Sequence, residues 1–208
     1  MTTVCDSSVL IALSAIGQLS LLQKRCRGTK LLVPKAVWRE VVEEGKGQPG
    51  AQEVADARWI EVAEVKNRAV VEVLLAHLDC GEAEVIALAQ ERQADLVLLD
   101  EKEAREFAER LGLRVLGTLG LLVWAKREGL ITVVREQLDA LKRKAGFRIS
   151  SELYRRVLRS VDIQGCRPRR FAMSSIEGQK EGAVTMGNGL AEMHAQRSAR
   201  CVVTRLGK

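Results

Sequence analysis

The sequence predicts an α/β protein, a three-layer α/β/α sandwich around a central parallel sheet of about five strands. Two observations carry this prediction. Short apolar runs rich in β-branched residues alternate with segments of helical periodicity along most of the chain. Strands that alternate with helices of this length pair in parallel, and the helices then cover both faces of the sheet.

Five short runs are predicted to be strands, and each is followed by a helix or reached through one. They are residues 2–5, 30–33, 59–65, 96–99 and 114–116. Pro34 closes the second run and stands near the start of a helix, while Gly112 ends the helix that begins near Glu101. These local signals agree with the alternating pattern.

The C-terminal part of the chain is basic. Residues 126–165 carry ten basic and five acidic side chains, and residues 166–208 carry eight and three. Beyond Gly129 we expect two amphipathic helices, whose apolar faces are Val134, Leu138 and Leu141, and Leu153, Val157 and Val161. We predict one domain over residues 1–165 and a disordered basic tail over residues 166–208, with a nucleic-acid-binding arm as the alternative for the tail.

Composition argues against several classes of protein. No apolar run approaches the roughly 20 residues of a membrane span, and the N-terminus lacks the basic start of a signal peptide, so we expect a cytoplasmic protein without membrane contact. Five scattered cysteines without a CxxC pair support neither a disulfide framework nor a zinc knuckle. Because there are only two histidines, carboxylates would have to hold any metal, which favours Mg²⁺ or Mn²⁺.

Acidic residues stand where two of the predicted strands end. Asp6 follows the first strand and Asp100 the fourth, and the carboxyl ends of parallel strands meet at one edge of a sheet, where ligands bind. Taken alone, Asp6 is as consistent with a helix cap as with a site residue, although Ser7 is also suited to capping. The second acid at the same edge favours the site.

Helices supply further acids. Glu40 flanks the apolar stripe of its helix, Glu43 points away, and Glu44 is a substitute for Glu40. Glu82 and Glu84 are separated by roughly 200° around a helix, so they cannot serve the same pocket. Since Glu82 shares a face with apolar residues, we predict that it points inward and that Glu84 lies on the surface.

Clustered carboxylates repel one another, and a fold tolerates them when a divalent cation neutralises the group. The alternative is a set of unrelated surface acids, because the chain has 27 acidic residues and some will fall near any edge by chance. The pattern of residues leaves both interpretations open.

Four segments of the sequence stand in a distinctive order: VCDSSVLIAL, LLVPKAVWREVV, CGEAEVIALAQERQADLVLLDEKEAREFAERLG and RVLGTLGLLVWAKREGLI. Together they resemble the PIN domain family, in particular an uncharacterised prokaryotic branch near the VapC-type toxin ribonucleases. Their order and spacing cover nearly all of residues 2–130, and GFRISSELYRRVL resembles the end of that branch. Nothing in residues 166–208 matches.

The resemblance implies a set of site residues. It places the catalytic acids of the family on Asp6, Glu40, Glu82 and Asp100, and its metal ligands on Asp6, Glu82, Asp100 and Glu103. Ser8 falls on the hydroxyl that orients the cluster. Ser8 and Thr118 are also the predicted substrate contacts, although a threonine in Thr118's position is more often a helix cap. Glu replaces the Asp of many toxins at the third and fifth positions, which leaves the number of metal ions open.

The implied activity is that of a Mg²⁺- or Mn²⁺-dependent endoribonuclease acting on single-stranded or structured RNA. Such a protein would be the toxin of a toxin–antitoxin pair, with a small antitoxin protein as partner, and a homodimer is also compatible with the resemblance. The alternative is a catalytically silent PIN-like module that binds RNA or a protein partner. A phosphatase with Asp6 as nucleophile is disfavoured, because Ser8 stands where a second acid would be needed.

Overall fold

The computed structural model describes residues 1–48 and 50–162, and its centre is a five-stranded sheet whose strands are all parallel. In chain order the strands are β1 (Thr3–Cys5), β2 (Leu31–Pro34), β3 (Ile60–Ala63), β4 (Leu96–Leu98) and β5 (Val115–Leu116). The order across the sheet is β3-β2-β1-β4-β5. All five predicted strands are present, and the largest difference is that β3 is shorter at both ends than the run that predicted it.

Helices flank the sheet to give the predicted three-layer α/β/α fold. They are α1 (Ser7–Ala15), α2 (Ser20–Cys26), α3 (Lys35–Trp38), α4 (Ala51–Ala55), α5 (Arg68–Leu74), α6 (Cys80–Glu91), α7 (Lys102–Arg110), α8 (Thr118–Arg127), α9 (Val134–Lys144) and α10 (Ser151–Asp162). A π-helical stretch, Arg39–Glu44, continues α3. The α6 helix packs across β1, β2 and β4, whereas α1 packs with α4, α8 and α9.

The strand order creates a switch point at the middle of the sheet. From β1 the chain first builds outward through β2 and β3, and it then crosses back to add β4 and β5 on the other side of β1. Beyond the end of β1, the N–H of Asp6 still donates to the carbonyl oxygen of Leu98 at 3.0 Å. Parallel sheets open a crevice at such a point, outside the carboxyl ends of the strands.

Hydrophobic burial fixes the elements that surround this crevice. Every residue of α6 from Gly81 to Ala89 is buried, which is unusual for a segment that includes two glutamates. The two predicted C-terminal helices are also present: α9 buries Val134, Leu138 and Leu141, and α10 buries Val157 and Val161 against α8 and α9. Burying a side chain of this size contributes roughly 1.5–3 kcal/mol to folding.

No helix in the part of the chain that the structure describes is long and apolar enough to cross a membrane. The predicted tail, residues 166–208, lies outside the described residues, as does the boundary placed at residue 165. Both remain predictions.

Candidate active site

Asp6 is both a helix cap and a member of an acidic cluster, so the two interpretations of this residue are not alternatives. It is the N-cap of α1, and its Oδ2 accepts hydrogen bonds from the backbone N–H of Ser8 at 3.2 Å and from the Ser8 hydroxyl at 2.6 Å. Its side chain is only 4% exposed. The assignment of capping to Ser7 is wrong, because Ser7 is already the first residue of the helix.

Asp100 is held rigidly by Thr118. One carboxylate oxygen, Oδ1, accepts the backbone N–H of Thr118 at 2.7 Å, and the other, Oδ2, accepts its hydroxyl at 2.5 Å. Thr118 is completely buried at the start of α8. A Cβ at the preceding Gly117 would lie 2.8 Å from Asp100 Oδ1, so the close approach of these two loops requires glycine. Thr118 therefore fixes the orientation of Asp100.

Glu82 stands in the first turn of α6 in a reciprocal capping arrangement with Asp79. The N–H of Glu82 donates to Asp79 Oδ1 at 2.8 Å, and Glu82 Oε2 accepts the N–H of Asp79 at 3.4 Å. The Glu82 side chain is 7% exposed. It is thus a buried carboxylate whose hydrogen-bonding neighbour is a second acid.

Glu40 approaches the same helix end from the π-helical stretch. In this stretch the N–H of Gly45 donates to the carbonyl oxygen of Glu40 at 3.0 Å. This i→i+5 hydrogen bond is the pattern of a π-bulge, and π-bulges are frequent at functional sites. A Cβ at Gly81 would lie 3.4 Å from Asp79 Oδ1 and 3.5 Å from Glu40 Oε2. These are ordinary van der Waals distances, so the carboxylates of Asp79 and Glu40 both lie against Gly81 at the start of α6.

The four acids predicted as catalytic form one electrostatic group. Burial raises the pKa of Asp6, and the charge of Asp79 raises it further against the hydrogen bonds from Ser8. Loss of solvation is also the main cause of a raised pKa at Glu40 and Asp100, and it raises the pKa of Glu82 to about 7. The negative charge of Asp6 contributes to all three of these increases.

Positive charge is scarce around this group. Among the ion pairs formed within residues 1–48 and 50–162, none includes any of the four acids. Arg105 partly offsets the raised pKa of Asp100. A cluster of carboxylates without cationic partners is stable only if something outside the chain neutralises it or if some of its members are protonated.

The chemistry of these side chains fits a hard divalent cation, since every donor is a carboxylate oxygen and the charges repel one another. Within the described residues, however, no three side chains among the acids, cysteines and histidines stand close enough together to form a finished metal site. A cation would therefore have to draw the carboxylates inward. The donor types are suitable for such a cation.

Two further acids lie near the cluster but were not predicted for it, Glu101 and Asp79. Glu103 is exposed in the first turn of α7, and the acid whose charge acts on Glu82 is instead Glu101, the N-cap of that helix. Asp79, which raises the pKa of Asp6, Glu40 and Glu82, was missed. Its signal was present, because an acid three residues before a glutamate at a helix start is a capping-box pattern.

The prediction that Glu84 lies on the surface is wrong. Glu84 is 7% exposed, its Oε1 accepts from Arg68 Nη1 at 2.7 Å, and its Oε2 accepts the N–H of Ala36 at 3.1 Å. The helix geometry correctly separated it from Glu82, but a tertiary partner on α5 allows it to be buried. Through these hydrogen bonds Glu84 links α6 to α5 and α3, and it takes no part in the acidic cluster.

Residues 2–162, more than three quarters of the chain, match the family model DUF3368, which is described as a PIN domain. A search of curated proteins finds no match.

Proposed function

The chain belongs to the PIN domain family, and on that premise we propose that it is a Mg²⁺- or Mn²⁺-dependent endoribonuclease. PIN domains are commonly nucleases, bind nucleic acid and typically use divalent metals. The observation that carries the proposal is the group Asp6, Glu40, Glu82 and Asp100, in which the charge of Asp6 raises the pKa of each of the others and no ion pair within the described residues compensates.

In this proposal Asp6, Glu82 and Asp100 would hold the cation, and Glu103 on α7 would complete the site through water. When bound, the cation supplies an activated water and neutralises charge on the phosphoryl oxygens. Ser8 and Thr118 keep the Asp6 and Asp100 carboxylates pointing at the crevice through the hydrogen bonds described above. Glu40, at the exposed rim, accepts the proton of the water that attacks phosphorus.

The charge distribution supports a polyanionic substrate. Seven exposed basic side chains stand on the two C-terminal helices, Arg135, Lys142, Arg143 and Lys144 on α9 and Arg155, Arg156 and Arg159 on α10. A basic surface beside an acidic centre attracts a phosphate backbone and raises its local concentration. The choice of RNA rests on the resemblance to the VapC-type toxins. The toxin role and the antitoxin partner rest on the same resemblance, and growth arrest on expression of the protein would test them.

The proposal is tested by incubating the protein with an unstructured RNA oligonucleotide. We expect cleavage with Mg²⁺ or Mn²⁺ and none with EDTA, and activity should return when excess Mg²⁺ is added back. Cleavage that persists in EDTA would contradict the proposed chemistry, in which the cation supplies the activated water and Glu40 only accepts its proton.

A second function, a non-cleaving module that binds RNA, is favoured by one observation: the described side chains do not already form a finished three-ligand metal site. It predicts RNA binding that is salt-dependent and unaffected by EDTA, with no cleavage under any metal. Measuring binding and cleavage on the same oligonucleotide separates the two functions.

A further inference from the structure

Arg105 on α7 brings a cationic side chain to the acidic cluster, next to Asp100. A Cβ at Gly117 would lie 3.2 Å from Arg105 Nη1 and 2.8 Å from Asp100 Oδ1, so the guanidinium and the carboxylate approach the same point. Asp100 follows β4 and Gly117 follows β5, which places this point at the carboxyl ends of two neighbouring strands. Arg105 therefore stands at the crevice in which the acids meet.

The guanidinium of Arg105 does not use the acidic partners that its own helix offers. Glu101 and Glu109 stand four residues before and after it, the spacing at which helical side chains pair. Within the described residues Arg105 nevertheless takes part in no ion pair, whereas Lys102 on the same helix pairs with Glu106 at 3.7 Å. Arg105 is only half-buried, so a ligand in the crevice can reach it.

The charges around Arg105 indicate an anion as its partner. In the proposed function Asp100 helps to hold a divalent cation, and two cations beside one carboxylate repel each other. An anion that lies between them replaces this repulsion by two attractive contacts. The substrate brings such an anion to this place, because the phosphate that is cleaved has to lie at the proposed metal ligands. Arginine also matches phosphate in shape, since its planar guanidinium donates two parallel N–H bonds to two oxygens.

We propose that Arg105 is a catalytic residue that donates hydrogen bonds to the non-bridging oxygens of the scissile phosphate. The inference rests on the proposed ribonuclease function and adds to it a cationic group. Water attacks phosphorus and gives its proton to Glu40, one P–O ester bond breaks, and the leaving oxygen takes a proton from solvent. Arg105 transfers no proton in this step. Its hydrogen bonds stabilise the negative charge that the phosphoryl oxygens carry in the transition state.

Three variants test this role. Arg105→Gln removes the charge and the guanidinium, whereas Arg105→Lys keeps the charge and cannot form two parallel bonds to a phosphate. Arg110→Gln is the matched control, because it removes an arginine from the last turn of the same helix, where the guanidinium lies over the ring of Phe107. Thermal melts select the proteins that remain folded. For each of these, kcat and KM are measured with an unstructured RNA oligonucleotide and Mg²⁺.

We expect Arg105→Gln to lower kcat by about a hundredfold or more, the usual loss when one donor to transition-state charge is removed, with a smaller change in KM. Arg105→Lys should lose about tenfold, because the charge remains and the paired bonds do not. Arg110→Gln should cleave like the wild type. If either Arg105 variant cleaves at the wild-type rate, the inference is overturned and the ribonuclease function still stands.

Binding of inorganic phosphate decides the matter if the wild type cleaves no RNA. Phosphate is titrated into each protein in the presence of Mg²⁺, and the melting temperature is followed, since a ligand stabilises the fold that binds it. Phosphate should raise the melting temperature of the wild type and of Arg110→Gln, and that of Arg105→Gln much less. This difference would support a phosphate contact at Arg105 in a protein that is not a ribonuclease. Equal responses of the three proteins would overturn the inference.

Discussion

Glu82 and Glu84 occupy the same helix two residues apart, are both 7% exposed, and yet have opposite surroundings. Glu84 accepts from Arg68 and from the backbone of Ala36, so its charge is satisfied within the fold. Glu82 faces Asp79 and Asp6, and its pKa is raised to about 7. A buried charge with its own partners serves the structure, whereas a buried charge among like charges needs a partner from outside.

The largest expected effect separates the two glutamates by activity. Glu82→Gln should lower RNA cleavage by about a hundredfold or more, which is typical for loss of a charge that stabilises the transition state. Glutamine can still form the capping arrangement with Asp79, so the helix start should survive. Glu84→Gln should retain most of the activity per folded molecule. Equal losses in the two variants would mean that the faces of α6 do not divide function from structure.

The stabilities of the variants should show the reverse order, because replacing Glu84 should destabilise the fold more than replacing Glu82. Glu84→Ala leaves the buried N–H of Ala36 without an acceptor, and we expect it to lower the free energy of unfolding by about 1–3 kcal/mol. In EDTA, Glu82→Gln should be as stable as the wild type or more stable, because it removes one of the repelling charges. Urea denaturation of the three proteins gives both values. A Glu82→Gln protein much less stable than wild type would place Glu82 among the structural acids.

Asp6 extends the comparison, because it combines a structural contact with membership of the cluster. Asp6→Asn keeps a residue that caps well, whereas Asp6→Ala removes the cap at a cost of about 1 kcal/mol. We expect Mg²⁺ to raise the melting temperature of the wild type and to have little effect on either variant, since a ligand stabilises only the fold that binds it. If the Asp6→Asn protein is active and Mg²⁺ raises its melting temperature as it does that of the wild type, Asp6 serves only as a helix cap.

The sequence was informative where short-range patterns determine the structure. The strands that precede Asp6 and Asp100 could be predicted because their β-branched, apolar composition is visible in a short stretch of sequence. The topology of the sheet then places the two acids at one edge. The burial of Glu84 could not be found this way, since it depends on Arg68, sixteen residues away on another helix. The π-helical backbone at Glu40 likewise has no clear local signal.

The last expected effect is a pH dependence of stability to which Glu82 contributes. The unfolded chain binds a proton at Glu82 with the ordinary pKa of 4.5, whereas the metal-free folded protein binds it with a pKa of about 7. The folded state thus holds the proton more tightly, so this contribution to stability is complete below pH 4.5 and is lost as the pH rises through about 7. In EDTA the free energy of unfolding should therefore fall between these values for the wild type, and less steeply for Glu82→Gln, since glutamine does not titrate. Glu84→Gln should retain the wild-type slope, because Glu82 is intact. Urea denaturation at several pH values measures these slopes, and a Glu82→Gln protein with the full wild-type slope would show that the pH dependence comes from the other members of the cluster, whose pKa values are also raised.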